Sequence, residues 1–267
     1  MIEGMSVYKV DETWAHYGYR EYYTRWYGKD TGEKIITKRG EFVRTTSDDY
    51  VLLPNEVVRE LVDDIAADIG AEKVSEEEDR WRIYLLYDLK NEYTIDDKTV
   101  QLGFYVQNSV DGSLSFAANV QSLLGDPRKG RARIMFPYGF KTLSPILAVG
   151  IYRRRHKIGE MDKDREKLRN DLISVIRRAE ESVPLFKFWM AVGIDREDAK
   201  YLCDNIPAIY LPKYVKAMSE GITLTEMISV WDVVIDVSKA IWSGDCGFTR
   251  KYKLYGALLR AAEKKRP

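Results

Sequence analysis

The hydrophobic and polar positions change period once along the chain. Up to about residue 158 most apolar residues come in short runs or alternate, as in strands; beyond about 160 they recur at helical spacing. Residues 5–10 and 33–46 read as extended, with Asp30-Thr31-Gly32 as a turn signal between them. Residues 11–27 fit strand or helix. Val58, Leu61, Val62, Ile65, Ala66 and Ile69 share one helical face, predicting a helix from Asn55 to Ile69, with Pro54 at its start and Gly70 at its stop. Strands follow at Arg80–Leu89, Gln101–Gln107 and 113–120, with Asp111-Gly112 as the hairpin signal between the last two. Glu76 to Asp79 reads as an exposed turn and 125–130 as a basic loop. Arg131–Phe136 and Ile146–Tyr152 are the last strand candidates.

In the second part, Leu168, Leu172, Val175, Ile176, Ala179 and Val183 mark a long amphipathic helix that Pro184 breaks or kinks. Short helices are expected at 195–204 and 208–219, separated by Pro207. Thr223 to Glu226 has the form of a capping box, with Ile222 and Met227 as its hydrophobic staple, opening a helix to about Trp242. A terminal helix covers Arg250 to Lys265. The expected class is α+β: an N-terminal mixed or antiparallel sheet with one packed helix over 1–158, then a helical region over 159–267 packed on it.

Composition bounds the function classes. The chain of 267 residues is 45% hydrophobic and 31% charged, enough to build a core. Cys203 and Cys246, the only cysteines, make neither a disulfide framework nor a zinc site. No apolar run approaches the roughly 20 residues of a membrane span, and Met1–Ser6 lacks the features of a secretory signal. The expectation is a cytoplasmic protein with no membrane partner. Only three Gln and six Asn, beside many charges, lean toward a thermophilic source. GxxxxGK[ST], GxGxxG and HExxH are absent, and His16 and His156 are the only histidines, so no catalytic residue, metal ligand or cofactor is assigned.

The formal charge is zero, yet it is segregated. Residues 47–97 carry sixteen acidic and five basic side chains, residues 126–178 six and fifteen, and residues 250–267 one and seven. Two basic clusters stand out. Arg128, Lys129, Arg131 and Arg133 flank a loop and open a strand, where alternation places Arg131 and Arg133 on one face. Arg153, Arg154, Arg155, His156 and Lys157 are contiguous. Such clusters repel themselves unless neutralised, either by phosphates, whose contact also releases counterions, or by the acidic helix 55–69 of the same or a neighbouring chain. Near the N-terminus Tyr8, Trp14, Tyr17, Tyr19, Tyr22, Tyr23, Trp26 and Tyr27 interleave with Arg20 and Arg25. Aromatic faces beside cations suit single-stranded nucleic acid, although core or subunit interface uses the same residues.

Four segments carry a family resemblance. Asp30-Thr31-Gly32-Glu33 comes first, before a strand. Tyr50 leads to Asn55-Glu56 at a helix entry, Asn108-Ser109-Val110-Asp111-Gly112 forms a hairpin motif, and Arg155-His156 precedes a long helix. In this order, over roughly 28–180, the chain resembles the phage and plasmid proteins grouped as domain-of-unknown-function family 932. It departs from them at Val110, where the family has His, and at 131–140, where the family's Cys-x-Asn strand is missing and Pro137-Tyr138-Gly139 stands. The resemblance implies a role in DNA maintenance on mobile elements. Through a proposed kinship to single-strand annealing proteins, it also implies single-stranded DNA binding by a ring or filament of subunits.

Three readings follow. The first is a non-enzymatic, oligomeric single-stranded-DNA-binding or annealing protein. Arg128, Lys129, Arg131, Arg133 and Arg153 to Lys157 would meet phosphates, and Tyr19, Tyr22, Trp26 or Tyr138 would stack on bases. The second is a structural protein of a mobile element that self-assembles through its acidic and basic blocks. The third is a metal-dependent nuclease with Asp and Glu ligands.

Overall fold

The computed structural model describes residues 4–114, 116–136, 152–154, 166, 169–170, 173–174 and 183–263. It has two antiparallel sheets in the N-terminal part and helices in the C-terminal part, the α+β class read from the sequence. The first sheet is a meander of β1 (Met5–Asp11), β2 (Tyr19–Trp26), β3 (Lys29–Lys38) and β4 (Glu41–Ser47). Its two tight hairpins turn at Tyr27-Gly28, with φ of 45° and 78°, and at Arg39-Gly40, with φ of 51° and 85°. Two-residue hairpins of this kind need left-handed backbone at both positions, and glycine supplies the second at no steric cost.

These turns correct two expectations. Residues 33–46 are two strands, not one, and Asp30-Thr31-Gly32 lies inside β3. There the Asp30 carboxylate accepts the Gly32 amide at 2.9 Å and the Tyr8 hydroxyl at 2.7 Å, so its turn chemistry forms a bulge and not the reversal. The ambiguous stretch 11–27 resolves into a 3-10 turn at Ala15–Tyr17 and strand β2.

Helix α1 (Asn55–Asp68) follows Pro54 as predicted. Its buried Val58, Val62, Ile65 and Ala66 pack on Ile83, Leu85, Tyr87, Phe104, Val106, Phe116 and Ala118 of the second sheet. That sheet comprises β5 (Ala71–Asp79), β6 (Arg82–Ile95), β7 (Lys98–Ser109), β8 (Phe116–Asp126), β9 (Gly130–Met135) and β10 (Tyr152–Arg154). The order is β10-β8-β7-β6-β5, with β9 and β10 sharing the outer edge of β8. The Asp111-Gly112 reversal between β7 and β8 is where the sequence puts it. Glu76 to Asp79, by contrast, are not a turn but the end of strand β5. An edge strand gains little from apolar residues, and charges there discourage pairing with other chains, so β5 shows no hydrophobic signal.

Among the described residues from 183 on, the helices are α2 (Val183–Ala191), α3 (Arg196–Asn205), α4 (Lys213–Ser219), α5 (Val230–Ser243) and α6 (Phe248–Glu263), with a 3-10 turn at Ala208–Tyr210. One core joins them to the sheet. Leu86, Tyr105 and Ile134 of the strands are buried with Phe186, Trp189, Trp231, Tyr255 and Leu259, and Tyr84 stacks on Phe248 at 4.1 Å. Most of the predicted strand 146–152 and of the long helix after residue 160 lies outside the described residues.

The capping box at Thr223–Glu226 is corrected. Helix α5 starts at Val230 and is capped by Ser229 and Asp232, each side chain bonding the other's backbone N–H, while Ile222 and Met227 stay 55% and 67% exposed. Both boxes satisfy the same pattern, but only the second lets Trp231, Val234 and Ile235 face the core. Burial would raise the Asp232 carboxyl, but the Ser229 hydroxyl and amide and the nearby Lys129 ammonium outweigh it and hold it below the ordinary carboxylate value. A group depressed in the folded state gives stability present above its unfolded pKa and lost as pH falls through the folded one. Asp232→Asn is therefore expected to flatten the acid limb of the stability–pH curve below about pH 4, measured by urea unfolding across pH. An unchanged acid limb would remove this assignment.

Candidate nucleic-acid interface

The first basic cluster is held by the chain's own acids. Asp126 ends β8 with its side chain fully buried, and its carboxylate accepts the amides of Arg128 at 2.9 Å and Lys129 at 3.1 Å. This closes the turn into β9. Lys129 reaches α5, 2.6 Å from Asp236 and 3.3 Å from Asp232. Arg131 and Arg133 do share a face, as alternation requires, but it is turned toward β6. Arg131 pairs with Glu92 at 2.6 Å, and Arg133 lies in a fork on both oxygens of Asp88 at 2.5 and 2.8 Å. Arg133 is 9% exposed, and its Nη1 also donates to Gln121. Its assignment as a phosphate contact is thus corrected: a buried guanidinium already in a bidentate pair has no donor to offer a ligand. Only Arg128 of this cluster is exposed without an ion pair. The neutralising partners are on β6 and α5, not on the acidic helix 55–69. That helix instead serves Lys38 through Glu56, Lys73 through Asp63, Tyr17 through Glu60 and Arg169 through Asp68.

The second cluster begins on β10, where Arg153 and Arg154 stand opposite Ala117 and Phe116 of β8. Arg155, His156, Lys157 and Tyr138 lie outside the described residues.

Among the aromatic candidates Tyr19 is corrected as well. It is 1% exposed, packed with Ile36, Val43, Leu52 and Val110 where the first sheet meets the body, so no base can reach its ring. Tyr22 is half-buried and Trp26 43% exposed. The structure adds residues whose grouping the sequence did not show. A bulge between Val7 and Lys9 turns Tyr8 toward Tyr23, the two rings meeting edge to face at 6.3 Å. The Arg25 guanidinium covers Tyr8 at 4.2 Å and the Lys9 ammonium covers Tyr23 at 4.5 Å. Tyr8, Lys9 and Arg25 are exposed. The hydrogen bond to Asp30 pushes the Tyr8 phenol above its ordinary value. Trp26 and the 70% exposed Tyr27 meet edge to face at 5.5 Å at the hairpin tip. Together these form a strip of alternating rings and cations.

Two of the segments singled out in the sequence, Tyr50 to Asn55 and Asn108 to Val110, meet. Asn108 on β7 donates to the Asn55 side chain at 2.9 Å and to the Leu53 carbonyl at 3.0 Å, and the Tyr50 hydroxyl donates to the Val110 carbonyl at 3.3 Å. The Asn55 amide nitrogen and the Asn108 amide oxygen are buried with no hydrogen-bond partner among the described residues. Among the described residues no group of His, Cys, Asp and Glu is arranged to hold a metal ion, and no helix is long and apolar enough to cross a membrane. No family model, curated protein or solved structure matches the chain.

Proposed function

We propose that this is an oligomeric nucleic-acid-binding protein without catalytic chemistry of its own, acting inside the cell and holding single-stranded DNA on its first sheet. The observation that carries this reading is the strip of Tyr8, Arg25, Tyr23 and Lys9, continued by Trp26 and Tyr27. Rings offer stacking surface to any base, and the cations between them meet the backbone that links those bases. The resemblance to mobile-element proteins supports the same reading. The alternative, assembly through acidic and basic blocks, is weakened where Asp88 and Glu92 already neutralise Arg133 and Arg131 within one chain. A nuclease would need carboxylates gathered for a metal, and no described group has that form.

The test is a titration of labelled single-stranded DNA, duplex DNA and RNA at two salt concentrations. Single-stranded DNA is expected to bind tightest, with affinity falling steeply as salt rises. Tyr8→Ala and Tyr23→Ala should each weaken it by about 1–3 kcal/mol, roughly 5- to 150-fold. Arg25→Ala should lower the salt slope by about one contact. Absence of binding at low salt, or binding indifferent to all three substitutions, would overturn the proposal.

A further inference from the structure

The first sheet is apolar on both faces. The side turned toward the body packs Tyr19, Ile36 and Val43 and holds charge beside them: Glu21 and Lys34 form a buried ion pair at 2.5 Å, and Lys38 reaches Glu56 of α1 at 2.7 Å. The solvent side carries a second set of apolar residues. The register sets Val10 opposite Tyr22 and Tyr22 opposite Ile35, in one row across β1, β2 and β3. Phe42 stands opposite Thr37 on β4, and Val7 opposite Thr24 on β1. Val7, Val10 and Phe42 are 43%, 46% and 59% exposed. Water therefore meets an apolar band on a sheet whose other face already holds a buried ion pair. Monomeric proteins rarely keep such a contiguous patch open, and it marks an interaction surface.

We infer that this face is the interface between two copies of the chain, packed sheet on sheet about a two-fold axis. Its chemistry selects the occupant. The cation that alternation places beside the apolar row, Arg20, is paired with Glu12 at 3.0 Å, so its charge is compensated within the chain. The same pair leaves the rim with compensated charge, so the patch can meet its own copy without opposing like charges. Its size is also sufficient. Four strands at about 4.8 Å spacing and about seven residues at 3.3 Å span roughly 450 Å² in projection. Two such ruffled faces together bury on the order of 1,000 Å², the threshold for a specific interface. Side chains from two aligned sheets interdigitate at about 10 Å separation, as in a β-sandwich. Self-pairing of identical patches also closes as a dimer and does not propagate. By the same register Tyr23, Lys9 and Arg25 lie on the other face from Val7 and Val10, so the ring-and-cation group of Tyr8, Arg25, Tyr23 and Lys9 stays open in each copy, whereas Trp26, opposite Met5, falls on the side of the band.

Multi-angle light scattering of nucleic-acid-free protein, at low and high salt, tests it. A mass of twice the chain is expected, unchanged at high salt because apolar burial is not screened. Val10→Lys with Phe42→Lys should weaken the dimer at least 100-fold and give a monomer with an unaltered circular dichroism spectrum; both positions are exposed, so the fold survives the change. Ile209→Lys, at a 79% exposed site elsewhere, is the control and should leave the mass as it is. A monomer at every concentration, a multimer that dissociates with salt, or a multimer unmoved by the paired lysines would each overturn the inference. None of these outcomes bears on DNA binding, which the titration of Tyr8, Tyr23 and Arg25 variants reads separately.

Discussion

Arg133→Ala is expected to destabilise the protein by about 3–5 kcal/mol, a large share of the roughly 5–15 kcal/mol that holds an ordinary domain folded. The guanidinium lies beneath α5 and α6. Trp242 of α5 packs over it at 5.6 Å, and the Tyr255 hydroxyl of α6 donates to the Arg133 carbonyl at 2.6 Å. Its removal leaves the Asp88 carboxylate, 7% exposed, with only the Gln121 amide as a side-chain donor. The full desolvation penalty of that carboxylate then returns, which is why breaking a buried pair costs more than the pair itself contributes. Asp88→Ala should cost about as much, whereas Asp88→Leu with Arg133→Met should recover most of the loss because no charge is stranded. Gly103 belongs to the same arrangement. It sits between Asp88 and Gln121 in register, and a Cβ there would fall 2.2 Å from the Gln121 side-chain nitrogen and 2.3 Å from the Tyr87 carbonyl. The missing side chain is what lets Gln121 reach across β7. Urea midpoints of the single and double variants decide the matter: additive losses in the double variant would mean that the pair does not act as a unit.

The network also shows how far the sequence could be read. Alternation placed Arg131 and Arg133 on one face, and they are. What faces them was invisible, because Asp88 and Glu92 lie about forty residues away on a strand three positions across the sheet. Charge segregation along the chain is not charge segregation in space, because the antiparallel sheet brings Asp88 and Glu92 of β6 within reach of Arg133 and Arg131 of β9. Tyr19 failed for a related reason. Alternation along β2 puts Tyr19 and Tyr22 on opposite faces, but nothing local says which face meets the body, and the structure turns Tyr19 into it and Tyr22 into the outer band. Helix α1, the Asp111-Gly112 reversal and the terminal helix were legible because each carries its own period or turn residues. Strand β5 was not, since an exposed charged edge needs no apolar pattern. The strip around Tyr8 depends on a β-bulge, and one misplaced residue in a strand reverses which face every later side chain takes.

Trp231→Ala should cost about 3–5 kcal/mol, as large-to-small changes of core aromatics do. Trp231 is fully buried in the first turn of α5, edge to face with Phe186 of α2 at 6.3 Å. Its indole N–H donates to Asp126 at 3.3 Å. That carboxylate is the one that closes the β8–β9 turn, so the residue ties the helical region to the basic loop as well as filling the core. Its two contributions can be separated. Trp231→Phe keeps one ring and loses the donor with part of the packing, so it should cost about 1–3 kcal/mol, less than alanine. The same variant should loosen the amides of Arg128 and Lys129, which share that carboxylate, and hydrogen exchange at the loop would report it. If alanine and phenylalanine cost the same, packing contributes nothing beyond the hydrogen bond and the assignment of a core role fails. If phenylalanine costs nothing and the loop amides stay protected, Asp126 is held by its backbone donors and by Lys98, 3.9 Å away, and the helices and the loop are independent.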